Sequence, residues 1–156
     1  MALQPGTKAP AVKALTDGGG KFALSSLKGS WVVLYFYPKD DTSGCTAEAC
    51  DFRDSMADLT KRGVSVVGVS PDSPASHDKF KAKYDLNFTL VSDEDHKVCE
   101  SYDTWKQKSM YGRTYMGVER TTYVIDPAGK IAATFEKVKV NGHVDQVRAT
   151  LAELGA

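Results

Sequence analysis

The sequence predicts an α/β protein with a mostly parallel central sheet, an antiparallel edge, an N-terminal hairpin and helices on both faces. Three observations lead there. Residues 31–37 and 64–70 are runs rich in apolar side chains, as expected of strands covered on both faces. A helical pattern follows each run, over 46–62 and from Pro74 to about Tyr84, so strand and helix alternate. Two later strands joined by Asp126-Pro127-Ala128-Gly129, a strong turn signal, supply the antiparallel edge before a closing helix.

Taken in order, residues 10–15 and 21–24 flank Thr16-Asp17-Gly18-Gly19-Gly20, a turn-rich gap that reads as a hairpin. Residues 25–29 form a short helical turn closed by glycine. Within 46–62, Ala49, Phe52, Met56 and Leu59 recur at three- and four-residue steps, one face of a helix. Lys61, Arg62 and Gly63 end it with positive charge and then glycine. Ser73 is an N-cap ahead of Pro74, a residue well tolerated in a first helical turn. Residues 88–91 read as a short strand, and Ser92 with Asp95 as a capping box opening a helix through Val98 and Tyr102. Residues 104–118 read as a long polar and aromatic loop, a length that is often functional in a compact domain. Strands are expected at 119–125 and 130–135. In the closing helix, 143–154, Val144, Val147, Leu151 and Leu154 fall on one side. With no repeat, linker or low-complexity tract, residues 1–156 read as one domain.

Composition narrows the function. Lys plus Arg and Asp plus Glu both number 20, a net charge of zero, which argues against nucleic acid or an anionic membrane as partner. No apolar run approaches the ~20 residues of a membrane helix, and no basic segment followed by an apolar one marks a secretory signal. Three cysteines are an odd number in a chain too large to need disulfide staples. The expectation is a cytoplasmic protein with reduced thiols, where a redox cysteine is more often catalytic than structural. His77, His96 and His143 are scattered, with no cysteine or carboxylate at zinc spacing, so no metal is expected. His96 reads as a helix-surface residue. Gly18-Gly19-Gly20 does not join a strand to a helix, so no nicotinamide, flavin or other cofactor is inferred.

The chemistry is concentrated in residues 37–50, Tyr37-Pro38-Lys39-Asp40-Asp41-Thr42-Ser43-Gly44-Cys45-Thr46-Ala47-Glu48-Ala49-Cys50. A cysteine stands here at the mouth of a helix, just after a buried strand. Helix N-termini carry unpaired N–H groups and a partial positive charge, and so favour the thiolate, the reactive form of cysteine. A second cysteine lies five residues on. The pattern points to a redox thiol with a partner nearby, against the alternative of two small core residues.

Further motifs gather around this stretch. Pro-x-x-x-Thr-x-x-Cys is met by Pro38, Thr42 and Cys45. Gly44-Cys45-Thr46 is followed by Glu48-Ala49-Cys50 and Phe52-Arg53-Asp54. Later come Ser92-Asp93-Glu94-Asp95-His96, Lys108-Ser109-Met110-Tyr111-Gly112, and Arg120 ahead of Val124-Ile125-Asp126. In these residues, over nearly its whole length, the chain resembles the peroxiredoxins, and most closely their bacterioferritin-comigratory-protein or Q branch. One departure is Ser43, where the branch usually has proline; the approach to Cys45 is then a little looser.

The resemblance implies a thioredoxin-like fold and a thiol peroxidase that reduces hydrogen peroxide and organic hydroperoxides. It implies that Cys45 is the peroxidatic cysteine, oxidised to a sulfenic acid, and Cys50 the resolving cysteine of an intramolecular disulfide. Thioredoxin or a similar dithiol donor would recycle it. Thr42 would point its hydroxyl at sulfur and peroxide, Arg120 would bring a fixed positive fork, and Pro38 would wall the pocket. Glu48 is either an orienting group for Arg120 or a solvated charge near a helix N-terminus. Positions i and i+5 of a helix place their Cα atoms roughly 9 Å apart on different faces, whereas a disulfide usually needs less than about 7 Å. The reduced protein is therefore expected to hold a continuous helix that unwinds at its start when the disulfide closes.

Several readings remain beside these. Cys99 reads as a helix-buried thiol, with a resolving role as the fallback. Met110, Tyr111, Tyr115 and Met116 read as a loop packed on the core, or else as an apolar rim for organic hydroperoxides. A disulfide oxidoreductase is the runner-up, disfavoured because that chemistry usually uses Cys-x-x-Cys. A non-enzymatic holdase or binding module on the same fold is the third reading. A monomer is expected, since no cysteine-bearing C-terminal tail offers an intersubunit disulfide.

Overall fold

The computed structural model describes residues 2–156. The chain runs through strand β1 (Lys13–Thr16), β2 (Lys21–Ala23), β3 (Trp31–Phe36), helix α1 (Ser43–Lys61), β4 (Val64–Ser70), α2 (Pro74–Tyr84), β5 (Thr89–Ser92) and α3 (Lys97–Ser101). It continues through β6 (Trp105–Met110), β7 (Arg113–Val118), β8 (Thr121–Ile125), β9 (Ile131–Phe135) and α4 (His143–Glu153). Seven strands form one sheet in the order β2-β1-β5-β4-β3-β8-β9, and β6 and β7 pair separately. The parallel centre is β5-β4-β3, and the antiparallel ladders lie on both of its sides rather than on one.

Strand alternation divides the core. Val33, Tyr35 and Tyr37 face the side covered by α1, α2 and α4, through Ala49, Phe52, Phe80, Val144, Val147 and Leu151. Val32, Leu34 and Phe36 face the other side, where Val98, Cys99 and Tyr102 pack with the N-terminal residues Ala9 and Val12. Helices thus lie on both faces, as expected. On α1 the buried residues Cys45, Glu48, Ala49, Phe52 and Leu59 keep helical spacing. Each large apolar side chain in that set contributes about 1.5–3 kcal/mol by its burial.

Most elements fall where the sequence places them, with three corrections. Residues 104–118 are not a loop: β6 and β7 form an antiparallel hairpin, with Lys108 opposite Tyr115 and Met110 opposite Arg113. Its turn is Tyr111-Gly112, both at positive φ (53° and 77°), the backbone a two-residue hairpin requires. Polar residues on both faces hide the alternation that marks a strand. The aromatic and thioether cluster on this hairpin is also not packed on the core, for Met110, Tyr111, Tyr115 and Met116 are all exposed. The capping box at Ser92 is absent. The Asp93 carboxylate reaches the start of α3 instead, accepting from Val98 N–H at 3.1 Å and Cys99 N–H at 2.8 Å. The third correction is Leu154, which lies beyond α4 and is exposed.

Candidate active site

Two local facts place the reactive end of the molecule. β3 ends at Phe36 and the chain turns through residues 37–42 into α1, whose N-cap is Thr42. β8 pairs antiparallel with β3 so that Phe36 lies opposite Thr121. The residue just before β8, Arg120, therefore emerges beside the segment just after β3. Sheet register, not sequence proximity, brings Arg120 to α1.

Cys45 is the third residue of α1 and is buried. No acidic residue lies in the first turn to compete for the helix dipole. Arg120 Nη2 donates to Cys45 Sγ at 3.3 Å, and Nη1 donates to Glu48 Oε1 at 2.7 Å. Glu48 follows Cys45 by three residues, so both point to the same face of α1 and one guanidinium spans them. Glu48 is fully buried against Arg120 rather than solvated. Burial pushes its carboxyl up to about 7 against the pull of the Arg120 charge. A fixed cation thus stands against the sulfur, placed to meet charge on a leaving oxygen.

Gly44 leaves room for this close approach. A Cβ there would lie 3.3 Å from Arg120 Nη2 and 3.9 Å from Val140 Cγ2. Thr42 is present at the N-cap, but its hydroxyl donates to the Lys39 carbonyl at 2.9 Å and makes no cap bond. That hydroxyl contacts neither the sulfur nor the N–H groups of α1, a correction to the expected aim; its oxygen lone pairs remain as acceptors. Pro38 is half-buried two residues past the end of β3.

The cysteines are all free. Cys50 is half-buried on the same uninterrupted α1, in keeping with the helix expected of the reduced form. Cys99 belongs to the core on the opposite side of the sheet, where burial and the Asp93 carboxylate push its thiol well up. The fallback role for Cys99 finds no support in that position.

Four residues near the site were given no role by the sequence. Tyr35 is buried beneath α1; burial and the nearby charges of Glu48, Cys45 and Asp40 raise its hydroxyl pKa. Gly68 makes room for it, since a Cβ there would lie 3.0 Å from the Tyr35 hydroxyl. Asp40 and His77 form a buried pair at 2.7 Å under the 37–42 segment. Of the other histidines, His143 is buried against Thr122 and held neutral, its pKa lowered by burial to about 4. His96 precedes α3 rather than lying on it, with its ring stacked 3.8 Å from that of Trp105. A cavity of about 500 Å³ lined by Val12, Leu24, Leu27, Val32 and Ile125 lies at the opposite end of β3, away from Cys45.

This geometry has close counterparts among known proteins. Residues 5–134 match the AhpC/TSA family. Peroxiredoxin Bcp of Bacillus subtilis is 46% identical over 154 residues, 99% of this chain and 98% of that protein. The bacterioferritin comigratory protein of Xanthomonas campestris, studied for its alkyl peroxide reduction activity, superposes with a TM-score of 0.91 at 39% identity, covering 98% of this chain and 100% of that one. A cysteine-to-serine variant of Xylella fastidiosa peroxiredoxin Q gives a TM-score of 0.94 at 34% identity, covering 100% and 99%. The chain accordingly has the thioredoxin-like fold of the peroxiredoxins and belongs to the AhpC/TSA family, in the Bcp or Q branch of cysteine-based thiol peroxidases.

Proposed function

We propose that Cys45 is the peroxidatic cysteine of this peroxiredoxin and Cys50 its resolving cysteine. Arg120, Thr42 and Pro38 complete the pocket, and Glu48 orients Arg120. The single observation that carries this reading is the Arg120 fork, bonded to Cys45 Sγ at 3.3 Å and to Glu48 at 2.7 Å. The Cys45 thiolate attacks the terminal oxygen of hydrogen peroxide or an organic hydroperoxide. The O–O bond breaks, the leaving oxygen departs as water or alcohol after taking a proton, and Cys45 becomes a sulfenic acid. Arg120 stabilises the charge as it moves from sulfur to the leaving oxygen, and the Thr42 oxygen accepts the hydroperoxide O–H. Cys50 then attacks the Cys45 sulfur and expels water, giving a disulfide that thioredoxin or a similar dithiol reduces.

The i to i+5 spacing forces the start of α1 to unwind before the sulfurs can meet. Among the described residues no helix is long and apolar enough to cross a membrane. A cytoplasmic monomer acting as one domain over residues 1–156, with no nucleic-acid or membrane partner, fits the balanced charge. Peroxide consumption with a thioredoxin system tests the assignment. Cys45→Ser should lose all activity. One equivalent of peroxide should join Cys45 to Cys50 in the wild type and leave no intramolecular disulfide in Cys50→Ser. A disulfide surviving in Cys50→Ser removes Cys50 from the mechanism.

A further inference from the structure

We propose that Asp40 and His77 are positioning residues that fasten the 37–42 segment to α2 and thereby set how readily the start of α1 opens for Cys45 to reach Cys50. The proposal rests on the Cys45 and Cys50 assignment above.

Asp40 lies midway between β3 and α1 and is buried. Its Oδ1 accepts from the Tyr37 hydroxyl at 2.6 Å. Its Oδ2 accepts from the Ser76 hydroxyl at 2.8 Å and lies 2.7 Å from His77 Nδ1. The Asp40 N–H donates to Asp72 Oδ2 at 2.8 Å, an oxygen that also accepts from the Ser70 hydroxyl at 2.7 Å. On the far side of the ring, His77 Nε2 lies 2.9 Å from the Val91 carbonyl. A backbone carbonyl and a carboxylate oxygen both accept, so this setting favours the doubly protonated, charged ring of His77. Burial opposes that charge, but the Asp40 hydrogen bond and charge, the Val91 carbonyl and the Asp72 charge outweigh it.

Asp40, Asp72 and His77 bring three ligand-type atoms within 4.8 Å of one another. Asp40 Oδ2 and Asp72 Oδ2 each already take part in two of the bonds just named, and both ring nitrogens of His77 are engaged, so the three residues hold one another. The next residue, Asp41, is tied to the end of α2 as well, by Lys83 Nζ at 2.8 Å and the Tyr84 hydroxyl at 2.7 Å. Helix α2 thus grips two consecutive residues of the segment that must move when α1 unwinds.

A pH dependence follows. The groups facing His77 are Asp40 and Ser76 from the loop and α2, Tyr37 beyond β3, Asp72 beyond β4 and the Val91 carbonyl of β5. When His77 loses a proton, one ring nitrogen presents a lone pair to an acceptor and the fastening weakens. It is therefore fully present at low pH and is lost as pH rises through the titration of His77 in the folded protein.

Hydrogen exchange in reduced Cys50→Ser protein tests this without any disulfide chemistry. The amides of Asp40, Thr46 and Ala47 are compared with and without His77→Gln from pH 6 to 8, after correction for intrinsic base catalysis. At pH 6 the His77→Gln protein should exchange faster by roughly tenfold or more, as loss of one partner of a buried pair implies. The gap should narrow as pH rises. Equal protection at pH 6, or a gap independent of pH, overturns the proposal. Ser76→Ala, which removes one donor to Asp40 while Ser73 Oγ still caps the Ser76 N–H, should shift exchange less and in the same direction; protection equal to that of the parent there also counts against it. In protein that keeps Cys50, His77→Gln should close the disulfide faster at pH 6 and leave less Cys45 as sulfinic acid under excess peroxide. Failure of the underlying cysteine assignment has a separate signature, the absence of a Cys45–Cys50 disulfide in the wild type.

Discussion

Glu48→Gln isolates the cost of keeping a carboxylate buried beside the reactive sulfur. The folded environment moves this carboxyl from 4.5 to about 7, chiefly by burial, with Arg120 opposing. Below pH 4.5 both folded and unfolded chains hold the proton. Between 4.5 and 7 the folded chain retains a proton that the unfolded chain has released, so stability falls by about 1.4 kcal/mol per pH unit. Across some 2.5 pH units the total is roughly 3 kcal/mol, withheld in full above pH 7. Glutamine keeps a carbonyl to accept from Arg120 Nη1 and has no proton to lose. Urea unfolding of the reduced proteins from pH 4.5 to 8.5 checks this. The stability of Glu48→Gln minus that of wild type should rise by roughly 3 kcal/mol between pH 4.5 and 8, whatever its offset from the weaker Arg120 bond. A difference that stays flat with pH refutes the reasoning, because it means Glu48 titrates alike in both states.

Three other substitutions carry distinct expectations. Arg120→Lys keeps the charge but cannot face Cys45 and Glu48 with one planar fork; the second-order rate with peroxide, measured by competition, should fall on the order of a hundredfold, and a loss below fivefold counts against the fork. Gly44→Ala puts a methyl group 3.3 Å from Arg120 Nη2, so the rate should drop roughly tenfold while chemical unfolding shows equal or greater stability from the better helix former. Cys99→Ala should leave peroxide reduction and disulfide formation unchanged, and Cys99 should resist alkylation in the folded wild type because its thiol is buried and pushed up; rapid labelling would place it in solvent.

The β6–β7 hairpin shows where sequence periodicity stops being informative. A strand with one buried face alternates, but Lys106, Gln107, Lys108 and Ser109 offer no apolar step to detect. Only pairing with β7 makes them a strand. The start of α3 is a similar case: Ser92 and Asp93 both suit an N-cap by type, but His96 holds that position. The Asp93 carboxylate reaches in from before it to accept from Val98 and Cys99 N–H, and Ser92 donates to the Asp72 carbonyl at 2.5 Å. By contrast, β3, β4, α1 and α2 were legible because local pattern and burial agree there: apolar runs lie in the sheet centre, and Ser73-Pro74 begins α2 as written.

The order of strands and helices and the placing of Cys45 at a helix start are written in the residues themselves, because strand, helix and cap preferences act over a few residues. The sequence also carried, through local motifs, the resemblance that named Pro38, Thr42 and Arg120. It takes the folded chain to show that Glu48 shares Arg120 with the sulfur, that Cys99 lies behind the sheet, and that Asp40 is bound by a buried His77. Those are meetings between residues 37 to 75 positions apart, and they depend on strand register and helix packing, which no local preference specifies.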